Sequence, residues 1–243
     1  MNLFFHTIRK RLLSENLFRK YLVYAIGEII IIVVGIFLAV QVNNWNENNK
    51  KDKLEIQILG DIENGLKKDL LEAKSNLSYQ KNILENQMIL IKWLENNLNF
   101  NDSLLPVLQK SLLASTFFKS EGPYETLKGF GFNSMKNNDL KNKIIDLYDV
   151  RYPYYVKLVD EYIEQMKNTT TTISQYVTEY NFLLNENTMK PINMVQMKTD
   201  QEFLYQFKTL KNYNKGVIYQ TNRLIQRIES TIEEIEKELQ KRK

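Results

Sequence analysis

Between Leu22 and Val42 the chain reads LVYAIGEIIIIVVGIFLAVQV, an apolar run with one ionisable member, Glu28. As a helix, about 21 residues rise roughly 31 Å, close to the hydrocarbon thickness of a bilayer. A central carboxylate costs about 2.5–3.5 kcal/mol on insertion. A dozen or so Ile, Val, Leu and Phe residues at about −0.3 to −0.6 kcal/mol each outweigh it. The run predicts a membrane-spanning helix over residues 21–43. A cleavable signal peptide is the competing reading, but the run is too long for its apolar core. Phe37-Leu38-Ala39 also puts a bulky residue where cleavage needs a small one.

Three long stretches with helical periodicity follow. In the first, Leu59, Ile62, Leu66, Leu70, Ala73, Leu77, Leu84, Met88, Ile91 and Leu98 approximate an 11-residue repeat. They predict a helix from about Asp52 to Leu98 that continues out of the apolar run. Two short helices come next, Ser103 to Ser115 and Pro123 to Gly129, with Gly129 as a left-handed terminator. The second long stretch carries Ile145, Tyr148, Tyr152, Tyr155, Val159, Tyr162, Met166, Ile173, Val177, Tyr180 and Leu184. Asn138 is its expected N-cap, and Pro153 is expected to kink it without ending it. After a loop from Asn187 to Lys198, Thr199 and Glu202 have the spacing of a capping box. Phe203, Phe207, Leu210, Val217, Leu224, Ile228, Ile235 and Leu239 then carry the last helix.

The fold expected is all-α: one transmembrane helix, then an elongated antiparallel bundle of three long helices with two short connecting ones. Each long helix has about 44–49 residues, or roughly 65–74 Å. The domain division is a basic amphipathic tail over 1–20, the span over 21–43, and a helical domain over 44–243. Three helices in alternating directions place the C-terminus far from the membrane and the Asn187–Lys198 loop near it.

Charge around the span sets its direction. Arg9, Lys10, Arg11, Arg19 and Lys20 precede it, whereas the far flank opens with Asn43, Asn44, Trp45 and Asn46. Positive-inside counting puts the N-terminus in the cytoplasm and the large domain outside it, in the periplasm if the membrane is a bacterial inner membrane. Phe4 or Phe5, Ile8 and Leu12 give the tail an apolar face that would lie on the inner leaflet.

Composition narrows the chemistry. With 8 Gly and 4 Pro in 243 residues, turns are too few for a sheet protein. The chain has no Cys, and its one His, His6, is in the tail, so thiolate and imidazole chemistry are absent from the large domain. Neither a phosphate-binding glycine loop nor a nucleophile elbow is present. Glu233, Glu234, Glu236 and Glu238 sit among Lys237 and Lys241 and read as a solvated helix face, not a metal site. No cofactor is expected. The net charge of +4 is spread along the helices, and nucleic acid is not an expected partner.

Some of these residues carry a resemblance. Lys20-Tyr21-Leu22-Val23-Tyr24-Ala25-Ile26-Gly27-Glu28-Ile29, Gly35-Ile36 and Asn43-Asn44-Trp45-Asn46-Glu47 resemble an uncharacterised family of single-pass membrane proteins common in Bacteroidota, a domain of unknown function. A second stretch is similar to the same family: Tyr124-Glu125-Thr126-Leu127-Lys128, Gly129, Gly131, Asn138-Asp139-Leu140-Lys141 and Ile144-Ile145-Asp146-Leu147-Tyr148. The resemblance implies topology and host and carries no activity.

Two groups of residues are candidate sites. Glu28, Gly35 and Ala39 lie near one face of the apolar helix, where a carboxylate and small residues favour contact with another helix. Snorkelling of Glu28 to the headgroups and proton transfer are the alternatives. Tyr124, Phe130, Phe132, Tyr148 and Tyr152 would form an aromatic surface at the distal end of the bundle, or else plain core. The function expected is that of a non-enzymatic interaction or scaffold protein. Its partners are the lipid bilayer and another membrane or periplasmic protein, or a second copy. A ligand-sensing bundle that signals through a partner is the runner-up.

Overall fold

The computed structural model describes residues 17–96, 98–178 and 189–242. The tail before Leu17 lies outside the described residues, as do Tyr180, Leu184 and the start of the expected Asn187–Lys198 loop. Among the described residues the chain is all-α, with no strand beyond an isolated antiparallel bridge between Val177 and Pro191. The helices are α1 (Leu17–Glu95), α2 (Leu104–Ser111), α3 (Gly122–Phe130), α4 (Asn138–Ile145), α5 (Tyr152–Ile173), α6 (Met194–Thr199) and α7 (Gln201–Lys241). A 3-10 turn covers Phe132–Ser134, and a π-helical turn, Asp146–Arg151, joins α4 to α5. By its internal contacts the chain divides into two units, Met1–Glu55 and Ile56–Lys243.

The described part of the first unit is helix throughout, and none of its most apolar 18 residues is buried. That window has a mean hydropathy of 2.7, long and apolar enough to cross a membrane.

The second unit is a bundle whose seams follow a seven-residue period. On α7 the buried positions step by four and three: Phe203, Phe207, Leu210, Asn214, Val217, Thr221, Leu224, Ile228, Thr231, Ile235 and Glu238. On α5 they are Tyr152, Tyr155, Val159, Tyr162, Met166, Thr169 and Ile173. On α1 they are Leu59, Ile62, Leu66, Asp69, Ala73, then Gln80, Ile83, Gln87, Leu90 and Leu94. The expected 11-residue stripe on α1 is therefore displaced. Met88 and Leu98 are 54 % and 51 % exposed, while Asp69, Gln80 and Gln87 face inward.

Direction follows from the cross-links. Lys67 pairs with Glu236 at 2.9 Å, Lys74 with Glu229 at 2.7 Å, and Glu95 with Lys208 at 2.5 Å, so α1 and α7 are antiparallel. Asp69 accepts from Tyr152 Oη at 2.7 Å and Gln87 Nε2 donates to Tyr162 Oη at 3.4 Å, so α1 and α5 run parallel. The return between them is made by α2 and an extended segment, residues 112–120, laid back along α1. Its backbone polar groups find side chains instead of a helical partner. Gln87 Nε2 donates to Ser111 O at 3.0 Å, and Asn76 Nδ2 to Thr116 O at 2.7 Å. Phe118 N donates to Glu72 at 2.9 Å, and Ser120 N to Asp69 at 2.9 Å. These bonds end α2 at Ser111, short of the expected Ser115. They also make α5 run in the direction of α1, where long helices in alternating directions were expected. The last turns of α7 lie beside Lys67 at the end where Ile56 enters the bundle, and Lys198 Nζ meets Leu98 O at 2.8 Å at the other end.

Gly65 is required where this segment passes, since a Cβ there would stand 3.1 Å from Ser120 Cβ. The terminator of α3 is Gly131, at φ 92°, and not Gly129, which stays helical. Asn137, one residue before the expected cap, accepts from Leu140 N. Pro153 produces no simple kink: Tyr152 N–H donates to Leu147 O, five residues back, and the π turn absorbs the missing donor. The expected capping box is replaced by Asp200, which accepts from Phe203 N, and Thr199 ends the short α6, which otherwise lies in the expected loop.

Candidate functional site

In the first unit, Glu28, Gly35 and Ala39 are all exposed and sit seven and four residues apart on one side of α1. A Cβ added at Gly35 would meet nothing within 4 Å. The face is bare on every side: Ile31 is 74 % exposed and Phe37 60 %. It offers a carboxylate flanked by small and branched apolar side chains, which suits hydrogen bonding and close backbone approach by another helix.

The five aromatic residues lie in the second unit, at the end where Ile56 enters, not at the opposite one. Tyr124, Tyr148 and Tyr152 are core, exposed by 1 % or less. Tyr124 stacks on Tyr148 with ring centroids 4.3 Å apart, and Tyr148 meets Tyr152 edge-on at 5.2 Å. Each hydroxyl has a partner: Tyr124 donates to Asp149 at 2.7 Å, Tyr148 to Ser120 O at 3.2 Å, and Tyr152 to Asp69. Burial, then the neighbouring carboxylates, push all three phenols well above the ordinary tyrosine range. Phe130 and Phe132 are half-buried against the same cluster. The cluster is packing, with no open aromatic surface.

The acidic residues of α7 are dispersed by the fold. Glu234 pairs with Lys143, Glu236 with Lys67, and Glu238 accepts from Asn137 Nδ2 at 2.8 Å. No group of three metal-ligating side chains comes together among the described residues.

A third location was not foreseen. Between α5 and α7 a cleft of about 230 Å³ is lined by Val150, Arg151, Tyr154, Tyr155, Gln220, Arg223, Leu224 and Arg227. Asp146 Oδ2 receives Arg151 Nε at 2.9 Å and Arg227 Nη1 at 3.3 Å. The Arg223 guanidinium stands 5.8 Å from the Tyr219 ring. Sequence reasoning passed over these arginines because basic residues opposite an apolar stripe read as solvated surface. The usable signal was Arg223 and Arg227 at i, i+4 on α7, with Tyr219 one turn before Arg223.

An all-α chain with one bare apolar helix and a helical bundle seamed by polar residues is the class that fold and surface define. The chain belongs to a family of unknown function (DUF6090), whose model matches residues 28–204. The match takes in the Asn43–Glu47 motif and all of the second motif, and begins at Glu28 of the first. No curated protein and no solved structure matches the chain.

Proposed function

We propose that this is a membrane-anchored, non-enzymatic protein that works by contacting another protein through the anchor helix. The anchor is the apolar helix of residues 21–43, held in a bacterial inner membrane with the N-terminal tail in the cytoplasm and the bundle in the periplasm. The observation that carries the reading is that none of that helix's most apolar 18 residues is buried, with Glu28, Gly35 and Ala39 aligned on it. A carboxylate in hydrocarbon is costly alone and is relieved by a hydrogen-bonding neighbour on a second helix. Gly35 and Ala39 let that neighbour approach closely. The partner is another membrane protein or a second copy of this chain.

The test is in-cell photo-cross-linking with a probe at Ile32, on the Glu28 side, and another at Val34. A discrete adduct at Ile32 that disappears in Glu28→Leu supports the contact. Adducts of equal yield at both positions, or none, would sink it. A ligand-sensing role is the second reading, and the arginine-lined cleft is the observation that favours it.

A further inference from the structure

The cleft between α5 and α7 plays no part in the helix contact proposed above, and either can fail without the other. Its walls bring three guanidinium groups, Arg151, Arg223 and Arg227, into one concave site. Guanidinium stays charged at any physiological pH, so the site carries three positive charges. One carboxylate, Asp146, answers two of them through a single oxygen. Each guanidinium has five N–H donors, and Arg151 and Arg227 spend one apiece on Asp146. Arg223 has no carboxylate partner among the described residues. Both Asp146 and Arg151 belong to the π turn, a local departure from α geometry of the kind that recurs at functional sites. Like charges grouped in a concavity lower its potential barrier to anions and raise their local concentration.

We propose that this cleft binds a phosphate monoester. The excess of two positive charges matches the roughly −1.5 to −2 of a monoester at neutral pH. Guanidinium forks arriving from two helices suit a tetrahedral oxyanion with three free oxygens. A carboxylate has half the charge and is satisfied by one fork. Tyr154 and Leu224 supply an apolar wall for the small organic body attached to the phosphoryl group. Two sources share this chemistry, a soluble phosphate ester and a phosphatidate headgroup.

The experiment is calorimetric titration of the full chain in a neutral detergent with phenyl phosphate, benzoate, and the short-chain lipid dihexanoyl phosphatidate. Arg223→Gln is the informative variant because Arg223 is exposed and makes no ion pair, so its loss leaves the bundle intact. Lys215→Gln removes an exposed charge elsewhere on α7 and serves as the control. Saturable binding of phenyl phosphate, weakened at least about tenfold by R223Q and unchanged by K215Q, is the expected result. Binding of dihexanoyl phosphatidate alone, with the same sensitivity to R223Q, keeps the monoester and identifies its source as a lipid. Benzoate binding as tightly as phenyl phosphate overturns the proposal, as does equal weakening by both variants or no saturable binding to either phosphate.

Discussion

In the helix up to residue 55 the large apolar side chains that the structure describes are outside: Ile31 is 74 % exposed and Val23 65 %. In the second unit several polar side chains are inside: Asp69 is 1 % exposed, and Gln87, Asn214 and Thr221 are fully buried. One continuous helix, α1, takes part in both arrangements. Backbone geometry therefore does not decide which kind of side chain points where. An apolar exterior is stable only in apolar surroundings, since contiguous patches of this size on a water-soluble monomer are rare. A polar interior is stabilised where its groups find hydrogen-bond partners, as Asp69 does with Ser120 N and Tyr152 Oη.

Four measurements would break or sharpen this contrast. The largest effect is expected from Val33→Arg combined with Phe37→Arg, each costing about 2.5–3.5 kcal/mol of insertion energy. The double variant should leave the membrane pellet on alkaline carbonate extraction while the bundle melts at an unchanged temperature. Retention in the pellet would show that the apolar run is not the anchor. Next, Asp69→Leu strands the Tyr152 hydroxyl and the Ser120 amide in the core, and urea titration should report a loss of about 3 kcal/mol. A neutral result would mean that the polar seam contributes little to stability.

The third effect is on pH. Burial, then the hydrogen bond to Asp200, push the Tyr176 phenol up to about 12 from an ordinary 10. The raised value means the folded state holds its proton more tightly than the unfolded chain. That stability is present in full below pH 10 and is lost as pH rises through 12. Tyr124, Tyr148 and Tyr152 are displaced in the same direction, so thermal melts by circular dichroism should fall more steeply between pH 10 and 12 than between pH 8 and 10. A flat profile over pH 10–12 would contradict the buried-tyrosine account. The smallest effect is expected from Lys74→Ala, whose partner Glu229 is also half-exposed. Its change in stability should stay within about 0.5 kcal/mol.

Much of the fold was legible because apolar residues mark it. Most seam positions of α7 and of α5 are aromatic or aliphatic, and their spacing reads directly as helix. On α1 the same period was hidden, because Asp69, Gln80 and Gln87 occupy seam positions and count as surface in any hydrophobic pattern. Their burial rests on partners 24 to 127 residues away in the chain, including Ser111 and Asn214. The extended return along residues 112–120 was hidden for the same reason. Locally Leu112 to Phe118 favours continuing α2, and only the side chains of α1 and Tyr162 Oη, which donates to Leu113 O at 2.7 Å, overrule it. Glu28 stood out in the sequence because a carboxylate in an apolar run is conspicuous by type alone. The arginine cleft did not, since its two walls are separate in sequence and meet only in the bundle.

The pairing of α1 with α7 has a kinetic side. Lys67 is made early, and its partner Glu236 comes almost at the end of the chain. At synthesis rates of about 5–20 residues per second, α1 waits roughly ten to thirty seconds before α7 exists to cover it. During that wait α2, the return segment and α5 are the strands of chain available to shield its seam. The Gln80 backbone carbonyl and the Gln87 side chain receive their last neighbour, Asn214, only when α7 docks. A ribosome-stalled chain ending before Gln201 should accordingly hold α1 in a half-closed groove, and release of α7 is the step that completes folding.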